Sequence, residues 1–304
     1  MTRYRFGFSS AALVVSLLAT ATGCDKSAPP APESAPAASG SSAVTAPPAN
    51  ATVSASGSSA LQPLVNAAKE KYEAQKKGVS IEVSAGGSKK GLSDVASGAV
   101  QIGDSDIVAP DDLKDLVDHK VAVVGFAAMA NKGPFNEKVT AVSVENLAKV
   151  FAGTITNWKD IGGTSQPIVV INRAPGSGTR TVFGSIVLGG DKFVESQTED
   201  NSGALVTKLK QTKGAISYLA LSFADPELKT FGIKSDAGSV EPTSEAITGG
   251  TYPIWSFEHM YTKGEPTGAT KEFLDYLASA DFQEHVLPTV KGFIPVTQMK
   301  VAGK

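Results

Sequence analysis

Pro167-Ile-Val-Val-Ile-Asn172 runs straight into Arg173-Ala-Pro-Gly-Ser-Gly-Thr-Arg180, and Val182, Phe183, Ile186 and Val187 follow at helical spacing. The first segment is rich in β-branched residues and reads as a strand. It ends in a cation. Small residues and hydroxyls come next, and the apolar spacing after Thr179 predicts an amphipathic helix. A strand–loop–helix joint of this composition turns backbone N–H groups, hydroxyls and a helix N-terminus toward one spot. With the Arg173 guanidinium at its edge, that spot suits a carboxylate, a sulfate or a phosphate. The same residues also suit a plain helix cap, in which Ser177 or Thr179 satisfies orphan amides beside a surface arginine. The segment alone leaves both readings open. Arg180 takes the next helical position and reads as a solvated surface residue.

Working outward, strands and helices go on alternating, with no clear internal repeat. Residues 52–55 read as a strand, and Leu61, Leu64, Val65, Ala68 and Tyr72 then recur at helical spacing, with Gly78 at the exit. Residues 79–83 alternate as a second strand, and Leu92, Val95 and Ala96 line a short helix closed by Gly98. Residues 100–102 make a third strand, and Leu113, Leu116 and Val117 predict a helix. The unbroken apolar run 121–129 predicts a central strand buried on both faces. Val144, Leu147, Val150 and Phe151 mark a helix ended by Gly153, and residues 215–218 are strand-like. Residues 252–257 lead into the last helices, where Phe273, Leu274 and Leu277 share a face and Asp281 with Glu284 forms a capping box. The alternation predicts an α/β fold with largely parallel sheets.

Three more joints share the composition of the first: Gly57-Ser-Ser-Ala-Leu61, Gly86-Gly-Ser-Lys-Lys-Gly91 and Gly103-Asp-Ser-Asp-Ile107. Each follows a predicted strand, and open α/β sheets bind ligands beyond the carboxyl ends of their strands. A single serine before a helix is ordinarily a cap. Four such joints converge better on an oxyanion site.

Composition narrows the partners. The chain has 304 residues, enough for two lobes. Arg3 and Arg5, the apolar run 11–19 and small residues up to Gly23 read as a secretion signal over 1–23, too short to span a membrane. Cys24 follows in a pattern that resembles a bacterial lipobox, whose cysteine is lipidated, with an ordinary cleaved signal and an incidental thiol as the alternative; as the only cysteine it allows no disulfide within the chain. Residues 27–50 are Pro, Ala or Ser at 19 of 24 positions, a composition unable to bury a core. They read, with Cys24, as a tether over 24–50. Without Arg3 and Arg5 the chain carries 26 basic and 30 acidic residues, which argues against nucleic acid. Anion capture would therefore rest on a local site rather than on a general positive field.

Over residues 51–304 the chain resembles the PstS-type periplasmic phosphate-binding proteins of ABC importers. The resemblance rests on Gly57-Ser-Ser-Ala-Leu-Gln-Pro63, Gly87-Ser88, Ser105-Asp106, Arg173-x-x-Gly-Ser-Gly-Thr179 and Phe151-Ala-Gly-Thr-Ile-Thr-Asn-Trp-Lys-Asp-Ile-Gly-Gly163. It departs from the family at Ser59, where threonine is common, and at Lys89-Lys90, where glycine is. The resemblance implies a two-lobed, type II periplasmic-binding-protein fold with two hinge crossovers and an anion cleft between the lobes. It puts lobe I at 51–127 plus 255–304 and lobe II at 128–254, with crossings near 125–130 and 252–256. It implies phosphate contacts from Ser59, Ala60, Ser88, Asp106, Arg173, Ser177, Gly178 and Thr179. It also implies delivery to ABC permease subunits, a monomer, and a place in the periplasm or on the outer face of the cytoplasmic membrane, anchored through Cys24.

Within that set Asp106 has a distinct chemical task. Phosphate near neutral pH keeps at least one proton and sulfate keeps none. A carboxylate accepts the hydrogen bond of that proton, and against sulfate it meets only lone pairs. The alternatives are a receptor for another oxyanion or a phosphate ester, a phosphate sensor, and a phosphoester hydrolase. For the last, no nucleophile elbow surrounds Ser88 or Ser177, no S-x-x-K occurs, and His119, His259 and His285 lie outside the motif loops, reading as surface or helix-end residues. No catalytic residue, cofactor or metal site is therefore assigned. Trp158 and Trp255 read as core aromatics.

Overall fold

The protein is described by a computed structural model over residues 50–236 and 238–302. The signal segment, Cys24 and the tether up to residue 49 lie outside the described residues. The first elements are β1 (Ala51–Gly57), α1 (Gln62–Gln75), β2 (Val79–Ala85), α2 (Ser88–Ser97) and β3 (Ile102–Ser105). β1 lies between β2 and β3 and is parallel to both. α1 buries Leu64, Val65, Ala68 and Tyr72, and Pro63 sits in its first turn, where the missing N–H costs no helical bond. α2 is closed by Gly98 in the left-handed conformation.

β4 (Leu116–Asn131) follows. All of its residues from Val121 to Ala130 are buried, as an apolar run covered on both faces requires. The chain continues through β5 (Ala141–Ser143), α3 (Val144–Phe151), β6 (Val169–Arg173), α4 (Gly178–Leu188), β7 (Gln197–Glu199), α5 (Ser202–Gln211) and β8 (Ala215–Ala220). Then come β9 (Leu228–Thr230), β10 (Gly232–Ser235), β11 (Gly238–Val240), α6 (Ser244–Thr248), β12 (Trp255–Lys263), α7 (Gly268–Ala278) and β13 (Phe293–Ile294).

The main sheet runs β2-β1-β3-β12-β4-β8-β6-β7, with β9 and β13 also on β4, and β11-β10-β5 form a small second sheet. Its outer parts are parallel, as the alternation predicts. Its centre is not, because β12 is antiparallel to β3 and β4, and β4 is antiparallel to β8. β4 changes partner midway. Residues up to Gly125 pair with β12, and Phe126 to Ala130 pair with β8. Phe126 N–H donates to Ile254 O at 2.8 Å at this exchange, and the Tyr252 hydroxyl donates to Phe126 O at 2.8 Å.

Four local expectations need correction. Leu116 and Val117 begin β4 rather than a helix, because Lys263 and Thr262 of β12 pair with them across the sheet. Residues 103–105 belong to β3 and not to the loop after it. A Cβ at Gly103 would stand 2.6 Å from Val95 Cγ1, so glycine lets α2 lie close against the strand. Residues 255–263 form a long strand before the last helices. Finally, Asp281 is itself helical, with φ −56° and ψ −48°, and makes no capping bond. The hydroxyl of Ser279 does the capping, accepting from Phe282 N–H at 3.3 Å.

Both tryptophans are core residues, and the Trp158 indole N–H donates to Gly214 O at 3.0 Å. His259, read as a surface residue, is buried on β12 with Nδ1 2.8 Å from Asp118 Oδ1. A cluster of Phe151, Phe183, Phe193 and Tyr218 packs beneath α4, with Phe183 stacked on Tyr218 at a centroid distance of 4.6 Å.

Candidate functional site

The four joints meet. Ser59, Ala60, Ser88, Asp106, Arg173, Ser177, Gly178 and Thr179 are all buried and lie at the carboxyl ends of β1, β2, β3 and β6. The loop after β2 touches the loop after β6 directly, since Lys89 N–H donates to Gly176 O at 3.1 Å. Two glycines permit this approach. A Cβ at Gly87, whose φ is +84°, would lie 2.7 Å from Gly176 O, and one at Gly178 would press into Ser88 Oγ.

Arg173 closes β6 and is 1 % exposed. Its backbone N–H donates to the Tyr218 hydroxyl at 3.2 Å, and its carbonyl accepts from Arg180 Nη1 at 2.9 Å. Arg180 is therefore no free surface cation. It braces the end of β6, pairs with Asp191 and lies over Phe193 at 4.5 Å. The Arg173 guanidinium reaches only neutral acceptors: Ser59 Oγ at 3.0 Å, Ser202 Oγ at 3.3 Å and Asp200 O at 3.4 Å. Nε has no partner, and no ion pair engages this side chain among the described residues. Burial lowers its pKa, and the nearby Asp106 opposes that shift. A buried cation left with dipoles alone is costly, and an anion beside it would offset that cost.

Asp106 sits opposite, just past β3. Its carboxylate accepts from the hydroxyls of Ser58 and of Thr179, the latter at 2.8 Å. Its backbone N–H donates to Ser88 Oγ at 2.9 Å, and its carbonyl accepts from Ser256 Oγ at 2.9 Å. Ser58 Oγ also accepts from Ala60 N–H at 3.0 Å, so its own proton is left for Asp106. Ser177 caps α4 by accepting from Arg180 N–H at 3.2 Å. The cap reading of Ser177 therefore holds, and the capped N-terminus of α4 is the kind of helix end at which anions are favoured.

A PBP superfamily domain profile matches residues 42–281. The chain is 46% identical to the phosphate-binding protein PstS of Bacillus subtilis over 257 residues, 83% of each protein. The chain belongs to the PstS family. Among solved structures, a Clostridium perfringens protein assigned to a phosphate ABC transporter as its substrate-binding protein, with bound phosphate, superposes with a TM-score of 0.74. The two share 29% identity, over 81% of this chain and 99% of that one. An ABC-type phosphate transport receptor from Vibrio cholerae shares the fold, with a TM-score of 0.63 and 24% identity over 80% and 99% of the two chains. The PstS-family fold is two-lobed, with two hinge crossovers and the anion cleft between the lobes.

In this PstS-family chain four polar residues surround those singled out in the sequence: Ser58 and Asp104 from within the motif joints, and Ser202 and Glu258 from outside them. Ser58 orients Asp106. Ser202, at the start of α5, donates its N–H to Ser59 Oγ at 3.1 Å and accepts from Arg173. Asp104 and Glu258 are buried near Asp106. A signal for Ser202 exists in the sequence, since Asn201 before Ala204, Leu205 and Leu209 is a capped amphipathic helix. Glu258 left none, because a lone acid in an apolar strand does not say which carboxylate it faces. Neither Ser88 nor Ser177 shares a hydrogen bond with a histidine.

Proposed function

We propose that the protein is an extracytoplasmic receptor for inorganic phosphate that closes on its ligand and presents it to an ABC permease. The observation that carries this reading is the pair at the site: a buried guanidinium without a carboxylate partner, and a carboxylate held as an acceptor across from it. A fully deprotonated anion satisfies the first and repels the second. A protonated oxyanion satisfies both, and phosphate is the common one. Ser59, Ala60, Ser88, Ser177, Gly178 and Thr179 supply the remaining hydroxyls and N–H groups, which act strongly in a site closed to water.

In this reading lobe I comprises residues 51–127 plus 255–304 and lobe II residues 128–254. β4 and the segment before β12 carry the chain between them. Ser59, Ser88 and Asp106 then belong to lobe I, and Arg173 and Ser177–Thr179 to lobe II, so the ligand ties the lobes together. Cys24 serves as the lipid anchor of a monomer on the outer face of the membrane. No helix among the described residues is long and apolar enough to cross a membrane. The names of the relatives, a phosphate-binding protein and a transport receptor, support binding rather than hydrolysis.

Calorimetric titration of the phosphate-free protein with phosphate, arsenate and sulfate tests the proposal. Heat with phosphate and arsenate and none with sulfate is expected. An absence of phosphate heat overturns it, and equal heat with sulfate reassigns the site to oxyanions in general.

A further inference from the structure

Three carboxyl side chains gather at the floor of the site. Asp104 lies in β3, and Asp106 is the first residue past its end, near enough for its charge to act on Asp104. β12 runs antiparallel beside them, with Met260 opposite Asp104 and His259 opposite Ser105. Glu258 stands two residues before Met260 on β12 and so leaves the strand on the face that Met260 shares with Asp104, at the point where the register of β12 with β4 shifts. The Ser256 hydroxyl bond to Asp106 O secures this end of the pairing.

All three are buried, Asp104 at 1 %, Asp106 at 1 % and Glu258 at 0 % exposure. Their surroundings differ. Asp106 has its two hydroxyl donors. Asp104 Oδ1 and both carboxyl oxygens of Glu258 accept no hydrogen bond from any donor among the described residues. No ion pair reaches either residue among the described residues. No group of three or more acids, histidines or cysteines there is arranged to hold a metal ion. The charged and titratable groups on the packed elements are Arg173 on β6, Lys89 and the Lys90–Asp94 pair on α2, Asp118, His119 and Lys120 on β4, and His259, Tyr261 and Lys263 on β12. Of these, Lys90 is committed to Asp94, and His259 to Asp118.

We propose that Asp104 and Glu258 are neutral carboxylic acids and that Glu258 directs its proton to Asp106, so that the anion pocket holds one carboxylate rather than three. This inference deepens the phosphate reading and rests on it. Three ionised carboxylates against one guanidinium would repel any anion. One carboxylate against one guanidinium leaves the pocket balanced before the ligand enters. An ionised carboxylate has about four lone-pair sites. Ser58 and Thr179 occupy two of them; the proton assigned to Glu258 is directed to a third, and the fourth remains for the proton of the ligand. Glu258 is therefore a positioning residue that sets the acceptor on which phosphate selection depends. Burial first, and the charge of Asp106 second, hold Asp104 well above the ordinary carboxylate range; Glu258 is raised by burial, by Asp106 and by Asp104.

The direct test is infrared spectroscopy of the full protein labelled with carboxyl-13C glutamate, without any ligand, at neutral pH. A protonated glutamate band that vanishes in Glu258→Gln is expected. Its absence from the wild-type protein overturns the proposal, and that reading needs no variant to fold. A second measurement follows phosphate affinity against pH by calorimetry. Raising the pH ionises Glu258 beside the anion, so wild-type affinity is expected to decline at the alkaline end, by about tenfold for each 1.4 kcal/mol of added repulsion. Glu258→Gln keeps a donor toward Asp106 and cannot ionise, so its decline is expected to be shallower. Superimposable profiles overturn the coupling of Glu258 to the ligand. Because the infrared band is read without phosphate, its absence leaves the phosphate reading standing. A wild-type protein that shows the band and binds no phosphate overturns the phosphate reading, and the role given to the proton falls with it.

Discussion

Arg173 Nη2 lies 3.0 Å from Ser59 Oγ, although 114 residues separate them in the chain. The bond joins the loop after β1 to the end of β6, and Ser202 completes it by donating to Ser59 and accepting from Arg173. One side of the cleft thus presents its hydroxyl to the charge of the other. The guanidinium is held in place by neutral groups, and no ion pair engages it among the described residues.

Removing that charge should abolish useful binding. Truncating one partner of a buried, hydrogen-bonded charge pair costs about 2–5 kcal/mol. Arg173→Ala is therefore expected to weaken phosphate binding by a factor on the order of 30 to several thousand. Arg173→Lys keeps the charge without the planar fork and should fall between. Calorimetry gives the affinities, and circular dichroism establishes that the variants are folded. Wild-type affinity in folded Arg173→Ala would refute the role.

Selectivity should fail at Asp106. Asp106→Asn replaces one acceptor oxygen with a donor, so the group no longer opposes a fully deprotonated anion. Phosphate affinity is expected to drop and sulfate affinity to rise, narrowing their ratio. Competition of sulfate against bound phosphate measures it. An unchanged ratio contradicts the assignment of the carboxylate as the proton acceptor.

Gly178→Ala separates helix stability from loop contact. Helix propensity alone predicts a gain of up to about 1 kcal/mol. The new methyl group, however, would press into Ser88 Oγ and lie 2.9 Å from Asp106 Cβ. Overpacking of this kind costs about 1–3 kcal/mol. The expected outcome is weaker phosphate binding and a larger radius of gyration with phosphate present, read by small-angle scattering. Tight binding with an unchanged radius would show that the loops yield without cost.

Stability should depend on pH in a direction set by Asp104 and Glu258. Both are raised well above the ordinary carboxylate value, chiefly by burial. Between the unfolded value, about 4, and their folded values, the folded protein keeps protons that the unfolded chain has released. Their contribution to stability is then full below about pH 4 and lost progressively as pH rises toward the folded values. Glu258→Gln cannot ionise in either state. It is expected to be more stable than the wild-type protein at about pH 8, with the gap closing toward about pH 4. Thermal unfolding across that range is the measurement, and a gap that widens toward acid would contradict the sign.

Much of this protein is local chemistry and so was legible in its residues. The strand before Arg173, the helix after Ser177, the glycine stop at Gly98 and the apolar run through β4 follow from periodicity and backbone preference. Small hydroxyl residues after four strands indicated an anion site because each joint is a short-range structure. The antiparallel centre of the sheet was not legible. β12 lies far along the chain from β3 and β4, and no local preference of 255–263 says which strands it joins. For the same reason Leu116 and Val117 looked helical until Thr262 and Lys263 paired with them. The pairing of Arg173 with neutral acceptors, the role of Ser202 and the burial of Asp104 and Glu258 around Asp106 also belong to the tertiary structure. Each depends on which groups meet once the chain is folded, and on the loss of water there, which raises the pKa of a buried acid.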